Sequence, residues 1–265
     1  MSKKYELTNE TKPLEGGTVL HRIRALRDIP RYGVKAGELG GFVEGENNLS
    51  QDGDAWVSGN ACVFGDAEVF GDAWVSGNAE VFGSANVYGK ARVYGNAWVS
   101  DNANVYGDAN VYGDAEVFDN AWVYGNAEVF GSAWVYGKAD IYGDANVENG
   151  HDYFVAKNTW SSLRWFTYTR SNKKWAVGCF YGTGEELIKK AYADSELSGR
   201  CYEAIVRAVE TIESAKAALD RKPRNCDRPE CATTKSAQEV WRKEDGGKTA
   251  YYEWLLATST KGDTK

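Results

Sequence analysis

The chain offers few side chains that could act as a catalytic base or a metal ligand. Its 265 residues include two histidines, His21 and His151, and His151 is followed by a carboxylate, Asp152. A histidine beside an acid can act as a general base, although an exposed hinge residue is the commoner explanation for such a histidine. Of five scattered cysteines, Cys226 and Cys231 could form half of a zinc site, but no second Cys or His pair completes it. We therefore expect no metal and no cofactor.

A second set of candidate functional residues lies between His151 and Gly182, where basic and aromatic side chains interleave. Aromatic rings beside cations suit the bases and phosphates of a single strand or a free nucleotide. The alternative is that the tryptophans form a domain core, while the cations are solvated or dock against an acidic surface. The candidates for ligand or partner binding are Trp160, Arg164, Trp165, Tyr168, Arg170, Lys174 and Trp175.

These residues follow a six-residue repeat, Gly-x-Ala-x-Val-x, which runs sixteen times from Gly53 to Glu148. Ala and Val, two residues apart, face the same side of a strand, and a glycine-led corner follows. One unit cannot bury its apolar side alone, so it must stack on copies of itself. The repeat predicts a mostly β protein built on a left-handed parallel β-helix of about five coils, with three units in each triangular coil.

Aromatic side chains form columns on the outside of this predicted β-helix. On its third side, the residue after Val is Phe or Tyr in every coil, and tryptophans recur before Val. These rings either stabilise the strands by stacking in register or are covered by sister subunits. A sugar-binding ladder is a third interpretation. We favour a homo-oligomer whose interface includes Phe70, Tyr88, Tyr106, Tyr124, Tyr142, Trp98 and Trp134.

The charge of the repeat bears on its partners. It carries nine Asp and five Glu against three basic residues, and the net charge of the whole chain is −7. An acidic rod disfavours nucleic-acid binding on the β-helix itself. No apolar run is long enough to span a membrane, no signal-peptide pattern is present, and the odd, scattered cysteines favour a reducing compartment. We expect a cytosolic protein with no membrane partner.

The chain divides by composition into four segments. They are an N-terminal cap (1–52), the β-helix (53–150), an α+β module of order β-β-α-α (151–221) and a polar tail with a possible clasping helix (222–265). Within the module, strands are expected over 164–170 and 174–181. Thr183 is expected to cap the first helix, and a second helix is expected over 198–219.

The segment before the repeat carries a more specific resemblance. Its runs Arg22-Ile23-Arg24-Ala25-Leu26, Gly40-Gly41-Phe42-Val43 and Asn48-Leu49-Ser50-Gln51 resemble the cap of hexapeptide-repeat proteins that are common in bacteriophages and prophages. That group is related to an uncharacterised, acyltransferase-like enterobacterial protein. The run Val177-Gly178-Cys179-Phe180-Tyr181 is similar to a module that follows such repeats in other phage proteins. The resemblance implies a left-handed β-helix and side-by-side trimers, and it implies little about activity.

These observations lead to one expected function and two alternatives. We expect a non-enzymatic phage or prophage accessory protein, an oligomer with a trimer favoured, whose C-terminal module binds a host protein and interferes with a host process such as defence. The first alternative is a sponge that sequesters a small nucleotide signal. The second is a hexapeptide-type acyltransferase. Because such enzymes use a histidine on the coils as general base, His151 would have to serve here.

Overall fold

The computed structural model describes residues 3–220, which divide into a compact unit ending at Ala208 and a second beginning at Val209. The predicted fold class is confirmed. The first unit contains an N-terminal cap, a left-handed parallel β-helix, a small antiparallel sheet and a first α-helix, and the division falls within the second α-helix.

The cap converts antiparallel pairing into the parallel pairing of the coils. It consists of β1 (Tyr5–Pro13), β2 (Val19–Ala25), β3 (Leu39–Val43) and two short 3-10 helices, Pro30–Tyr32 and Glu46–Asn48. Strand β1 pairs antiparallel with β2, and β2 pairs antiparallel with β3. Strand β3 then pairs in parallel with Cys62–Val63, a strand of the repeat.

Each repeat unit contributes one two-residue strand, made of the Val or Ile and the residue before it. In chain order, β4 to β19 are Trp56–Val57, Cys62–Val63, Glu68–Val69, Trp74–Val75, Glu80–Val81, Asn86–Val87, Arg92–Val93, Trp98–Val99, Asn104–Val105, Asn110–Val111, Glu116–Val117, Trp122–Val123, Glu128–Val129, Trp134–Val135, Asp140–Ile141 and Asn146–Val147. Strands three apart pair in parallel, so that Arg92 lies between Trp74 and Asn110. Three sheets result, with the orders β4-β7-β10-β13-β16-β19, β6-β9-β12-β15-β18 and β3-β5-β8-β11-β14-β17.

The β-helix has about six coils, one more than expected, because the cap supplies two sides of the first coil. Phe42 of β3 pairs with Cys62 of β5, and Leu49 forms a parallel bridge to Val69. The repeat motif is absent from these cap positions, so counting repeat units underestimated the number of coils.

The interior of the β-helix is filled by small side chains, and its corners are correspondingly tight. The Ala and Val of every unit, and Ile141, are at most 1% exposed. Most corner residues are glycines at positive φ, while Asp101 and Asp119 occupy equivalent corners at φ of 56° and 60°. Aspartate tolerates this left-handed region better than most residues do. The glycines matter where backbones of successive coils meet, as at Gly107 and Gly125.

The antiparallel sheet after the coils has the order β20 (Tyr153–Lys157), β21 (Trp165–Thr169), β22 (Lys174–Val177) and β23 (Phe180–Gly182). Strand β20 was not predicted, and the turn at Gly178 and Cys179 divides the expected second strand in two. Helices α1 (Gly184–Asp194) and α2 (Glu196–Asp220) follow. Thr183 is the N-cap of α1 and forms a capping box with Glu186, as predicted.

Most hydrogen bonds between successive coils run in one direction along the β-helix. The amides on either side of each valine donate to carbonyls of the following coil, as Trp74 N–H does to Ala91 O at 2.9 Å, whereas the parallel strand pairing directs the valine amide to the preceding coil. The first coil is therefore left mainly with carbonyl acceptors and the last coil mainly with amide donors. Both ends need partners, because exposed strand edges recruit other chains and buried unpaired groups are costly.

The cap supplies donors to the carbonyls of the first coil. Lys4 is buried and donates from Nζ to Ala55 O at 2.7 Å, and Asn48 donates from Nδ2 to Ala67 O at 2.9 Å. Burial lowers the pKa of Lys4 to about 8, and the nearby charge of Arg27 acts in the same direction. These side-chain donors thus take the place of the backbone amides that a preceding coil would supply.

Replacing Gly107 by Ala should lower the free energy of unfolding by about 1–3 kcal/mol. Alanine is strained at the φ of 72°, and its Cβ would lie 3.0 Å from the backbone nitrogen of Gly125. Gly45→Ala is the matched control, because Gly45 is extended and an added Cβ meets no atom within 4 Å. Chemical denaturation of the two variants measures the difference, and equal effects would contradict this account of the corners.

Lys4 should make stability depend on pH. Its folded pKa lies below its unfolded value, so from about pH 8 to pH 10 the unfolded chain holds more protons and rising pH favours folding. The free energy of unfolding of the wild type, minus that of Lys4→Met, should therefore increase across this range. Tyrosines with raised pKa values, such as Tyr106, are present in both proteins and cancel in the difference. A difference that stays constant with pH in denaturation experiments would refute the buried ammonium.

Candidate functional site

The antiparallel sheet closes the far end of the β-helix by accepting hydrogen bonds from the last coil. Asp140 N–H donates to Thr167 Oγ1 at 2.9 Å, and Asn146 N–H donates to Ser171 Oγ at 2.7 Å. Strand β21 positions Thr167, and the turn after β21 positions Ser171. Hydroxyl acceptors at this end are the counterpart of the side-chain donors in the cap.

Strand alternation gives this sheet two faces with different neighbours. On the face toward the coils, Tyr153 and Val155 of β20 pack against the β-helix core, and the Tyr153 hydroxyl donates to Trp134 O at 2.9 Å. On the opposite face, Phe166 and Trp175 are buried with ring centroids 6.0 Å apart. One face of the sheet therefore packs against the β-helix core, and the other face forms part of the core of the C-terminal module. The contacts to the β-helix fix the position of the sheet on the last coil.

A groove of about 640 Å³ opens where the last coil meets β20. It is lined by three exposed aromatic side chains, with exposed fractions of 52% for Tyr136, 38% for Phe154 and 43% for Trp165. Tyr153 and Val155, both half-buried, line it as well. A concave, largely aromatic surface of this size is typical of ligand pockets.

Charged groups surround these aromatic side chains. Lys138 lines the groove, and Lys157 Nζ lies 5.9 Å from the centroid of the Trp165 ring. Within residues 3–220, neither lysine forms an ion pair. Asp119 also lines the groove, and its Oδ2 accepts a hydrogen bond from Gly137 N–H at 3.1 Å. Lys138 in the groove and Lys157 beside Trp165 can therefore both attract an anionic group.

Three of the residues predicted to bind a ligand lie in the core of the C-terminal module. Trp160 packs edge-on against Tyr202 of α2, with ring centroids 5.1 Å apart. Trp175 is 2% exposed, and Tyr168 is buried beside it with ring centroids 5.0 Å apart. These three aromatic residues hold the sheet to the helices and present little surface to a ligand, as the core interpretation of the tryptophans expected.

The other four predicted binding residues differ in exposure. Arg164 and Trp165 are exposed, whereas Arg170 and Lys174 are half-buried. Of the seven residues in the predicted set, only Trp165 lines the groove. The structure therefore disperses the predicted set, and the assignment of its members to ligand or partner binding stays a prediction.

Sequence reasoning missed Tyr136, Lys138 and Phe154, which complete the groove. Tyr136 and Lys138 occupy ordinary positions of the repeat, and nothing in their local sequence sets them apart from other units. Phe154 belongs to β20, the strand that was not predicted. Their position near the end of the repeat could have identified Tyr136 and Lys138, because the last coil contacts the segment that follows the repeat.

The predicted interface column is a continuous stack of half-buried rings. Ring centroids of successive members are 4.4–4.8 Å apart along Phe70, Tyr88, Tyr106, Tyr124 and Tyr142. Tyr181 of β23 covers the last ring edge-on, with centroids 4.5 Å apart. Of the two tryptophans assigned to the interface, Trp98 is half-buried and Trp134 is 55% exposed. Stacking within the chain accounts for part of this aromatic surface, and its contact with sister subunits stays a prediction.

Asp140 lies beside this column and carries a largely buried carboxyl group. Burial raises the pKa of Asp140, opposed by a hydrogen bond from the Tyr124 hydroxyl. Burial and then the charge of Asp140 raise the pKa of Tyr124, and burial raises the pKa of Tyr106 to about 12. The hydroxyl groups of Tyr106 and Tyr124 therefore remain protonated at neutral pH.

The two histidines lie at opposite ends of the β-helix. His21 is in β2 of the cap, with Nδ1 3.4 Å from Thr8 O. His151 follows the last coil, is exposed, and donates its backbone N–H to Asn149 Oδ1 at 3.0 Å. The two rings cannot act on one substrate together, so any histidine-dependent chemistry would rest on His151 by itself.

Metal ligands do not gather in residues 3–220, where no group of three or more His, Cys, Asp or Glu side chains could hold an ion. Cys62 is buried, Cys179 is exposed, and Cys201 is half-buried. Cys226 and Cys231, the proposed half of a zinc site, lie outside the described residues, as does the expected clasping helix of the tail.

The described helices, α1 and α2, include no segment that is both long and apolar enough to cross a membrane. The chain matches no protein-family model, and no curated protein matches its sequence.

Replacing Thr167 by Val removes one hydroxyl while keeping the side-chain shape. The amide of Asp140 then loses its acceptor, so the free energy of unfolding should fall by about 1–3 kcal/mol. The matched control is Thr159→Val, at an exposed threonine, where a change within about 0.5 kcal/mol is expected. Urea denaturation of both variants tests this, and a Thr167→Val variant as stable as the control would show that the hydroxyl does not close the ladder.

Proposed function

We propose that this chain is a non-enzymatic binding protein, in which the β-helix is a rigid support and the groove beside the C-terminal sheet recognises a partner. The observation that carries the proposal is the exposure of Tyr136, Phe154 and Trp165 around one concave surface. Large aromatic side chains gathered in a concave site are a common mark of ligand or partner recognition.

The construction of the groove favours binding without rearrangement. One wall, with Tyr136 and Lys138, belongs to the last coil, where Asp119 holds the backbone of Gly137. The other wall belongs to a sheet that is hydrogen-bonded to the same coil through Thr167. Because both walls are held in place, a partner gains contacts without ordering a loop, which lowers the entropic cost of association.

For the partner we propose a host molecule in the bacterial cytosol. The support is the resemblance of the cap, in runs such as Gly40-Gly41-Phe42-Val43, to hexapeptide-repeat proteins of bacteriophages and prophages. An accessory protein of that kind would act by occupying a host component, such as one used in defence against phage. The choice of a host molecule rests on analogy between proteins, whereas the chemistry of the groove indicates which class of ligand it can hold.

We further propose that the chain forms a homotrimer through the outer faces of the β-helix. Trp122 and Trp134, which are 48% and 55% exposed, support this proposal. Exposed tryptophans on a regular, flat surface are commonly covered by another chain.

Affinity capture from a host lysate tests the recognition site. We expect the immobilised wild-type protein to retain a defined host component that Trp165→Ser loses. Leu39→Ser is the matched control, because Leu39 is an apolar side chain of similar exposed fraction, 48%, but lies in β3 of the cap, and this variant should retain the component. Quantitative mass spectrometry of the bound fractions measures the difference.

Two outcomes of this capture experiment would count against the proposal. Equal capture by Trp165→Ser and wild type would show that the groove is not the recognition site. Turnover of an acyl donor by the purified protein that disappears in His151→Ala would replace the binding function with the acyltransferase alternative.

A further inference from the structure

The groove combines planar apolar surfaces with positive charge, and this combination narrows the chemistry of its occupant. Tyr136, Phe154 and Trp165 supply the aromatic surfaces. Lys138 lies among them, and Lys157 adjoins Trp165. Aromatic stacking next to cations is how proteins hold bases and their phosphates without reading a sequence.

The surroundings of Trp165 leave room for a stacked ring. Lys157 approaches the indole, with Nζ 5.9 Å from the ring centroid, but it is not among the residues that line the groove. Trp165 does line the groove and is 43% exposed. A planar group can therefore stack on the accessible side of the indole while its charged substituent stays within reach of an ammonium.

The charge balance of the groove favours an anion. Lys138 and Lys157 have no ion-pair partner within the described part of the chain. Asp119 is the one acidic residue of the lining, and the N–H of Gly137 partly offsets its charge. Both lysines are exposed, so an anionic ligand would gain an attraction to them that an apolar peptide segment would lack.

The surrounding surface favours a small anion over a long one. A polynucleotide in the groove would extend along the β-helix, whose repeat carries nine Asp and five Glu against three basic residues. That field repels a phosphate chain. A volume of about 640 Å³ instead lies within the range of pockets that enclose a single small molecule.

We propose that the groove binds a small nucleotide, with the base stacked on Trp165 and the phosphate held by Lys138 and Lys157. This assignment rests on the proposed function, since it names the class of ligand that the same recognition site would hold. A protein present in excess over such a ligand would sequester it, without any chemical step.

Isothermal titration calorimetry of the full-length protein with 5′-AMP, adenosine and ribose 5-phosphate tests the assignment. We expect 5′-AMP to bind, and adenosine and ribose 5-phosphate each to bind about ten-fold or more weakly, because each lacks one of the two recognised groups. Trp165→Ala should weaken 5′-AMP binding by about ten-fold or more, and Lys138→Gln by about five-fold.

Two further variants separate recognition from damage to the fold. Asp119→Asn should tighten 5′-AMP binding by a few-fold, because it removes the one like charge while asparagine tolerates the left-handed corner and keeps an acceptor for Gly137. Leu39→Ala, at an exposed apolar residue of the cap, should leave binding unchanged. Tightening by one substitution cannot result from a damaged fold.

Three results would overturn the nucleotide assignment. They are no heat of binding with 5′-AMP up to about 1 mM, equal affinity for 5′-AMP and adenosine, and equal weakening by Trp165→Ala and Leu39→Ala. If any of these occurs while capture of a host component still depends on Trp165, the nucleotide assignment fails and the recognition site stands. If neither nucleotide binding nor capture depends on Trp165, both proposals fail.

Discussion

Most amides of each coil donate to the coil that follows, and this direction dictates how the two ends of the β-helix must be built. The first coil presents mainly carbonyl oxygens, which need donors, and the last coil presents mainly amides, which need acceptors. In the cap, the ammonium of Lys4 and the side-chain amide of Asn48 donate to these carbonyl oxygens. In the C-terminal sheet, the hydroxyl groups of Thr167 and Ser171 accept from amides of the last coil. The ends therefore differ in chemistry because the repeat between them is polar along its axis.

The candidate site is a consequence of how the last coil is closed. Hydrogen bonds of Thr167 and Tyr153 hold the antiparallel sheet against the last coil. This four-stranded sheet does not cover the whole end of a β-helix that has three sides. A groove is left at one corner, and the aromatic side chains that elsewhere stack on the next coil have no next coil here. Tyr136 stacks on Phe118 on one side and is exposed on the other. The aromatic repeat thus leaves an exposed ring at the groove where the repeat ends.

The sequence determined most of the fold and little of the site, for a physical reason. A repeat of Ala and Val, each contacting the same neighbours in every coil, specifies its own stacking. The start of α1 is equally local, because the Thr183 side chain caps the helix itself. Local pattern cannot distinguish Trp165 from Trp175, although one is exposed and the other buried, because their difference depends on which face of the sheet meets the helices. Leu49 joins the first coil for a similar reason, since its neighbour Val69 lies far along the chain.

Amide hydrogen exchange measures the central claim directly, that side chains of the C-terminal sheet close the ladder. The amide of Asp140 donates to Thr167 Oγ1, whereas that of Asn104 donates to a backbone carbonyl inside the β-helix, Ala121 O. If the sheet closes the ladder, the two amides should exchange at rates within about an order of magnitude of each other. Exchange of the Asp140 amide at the rate of an amide without an acceptor, with Asn104 still protected, would contradict this account of how the β-helix ends.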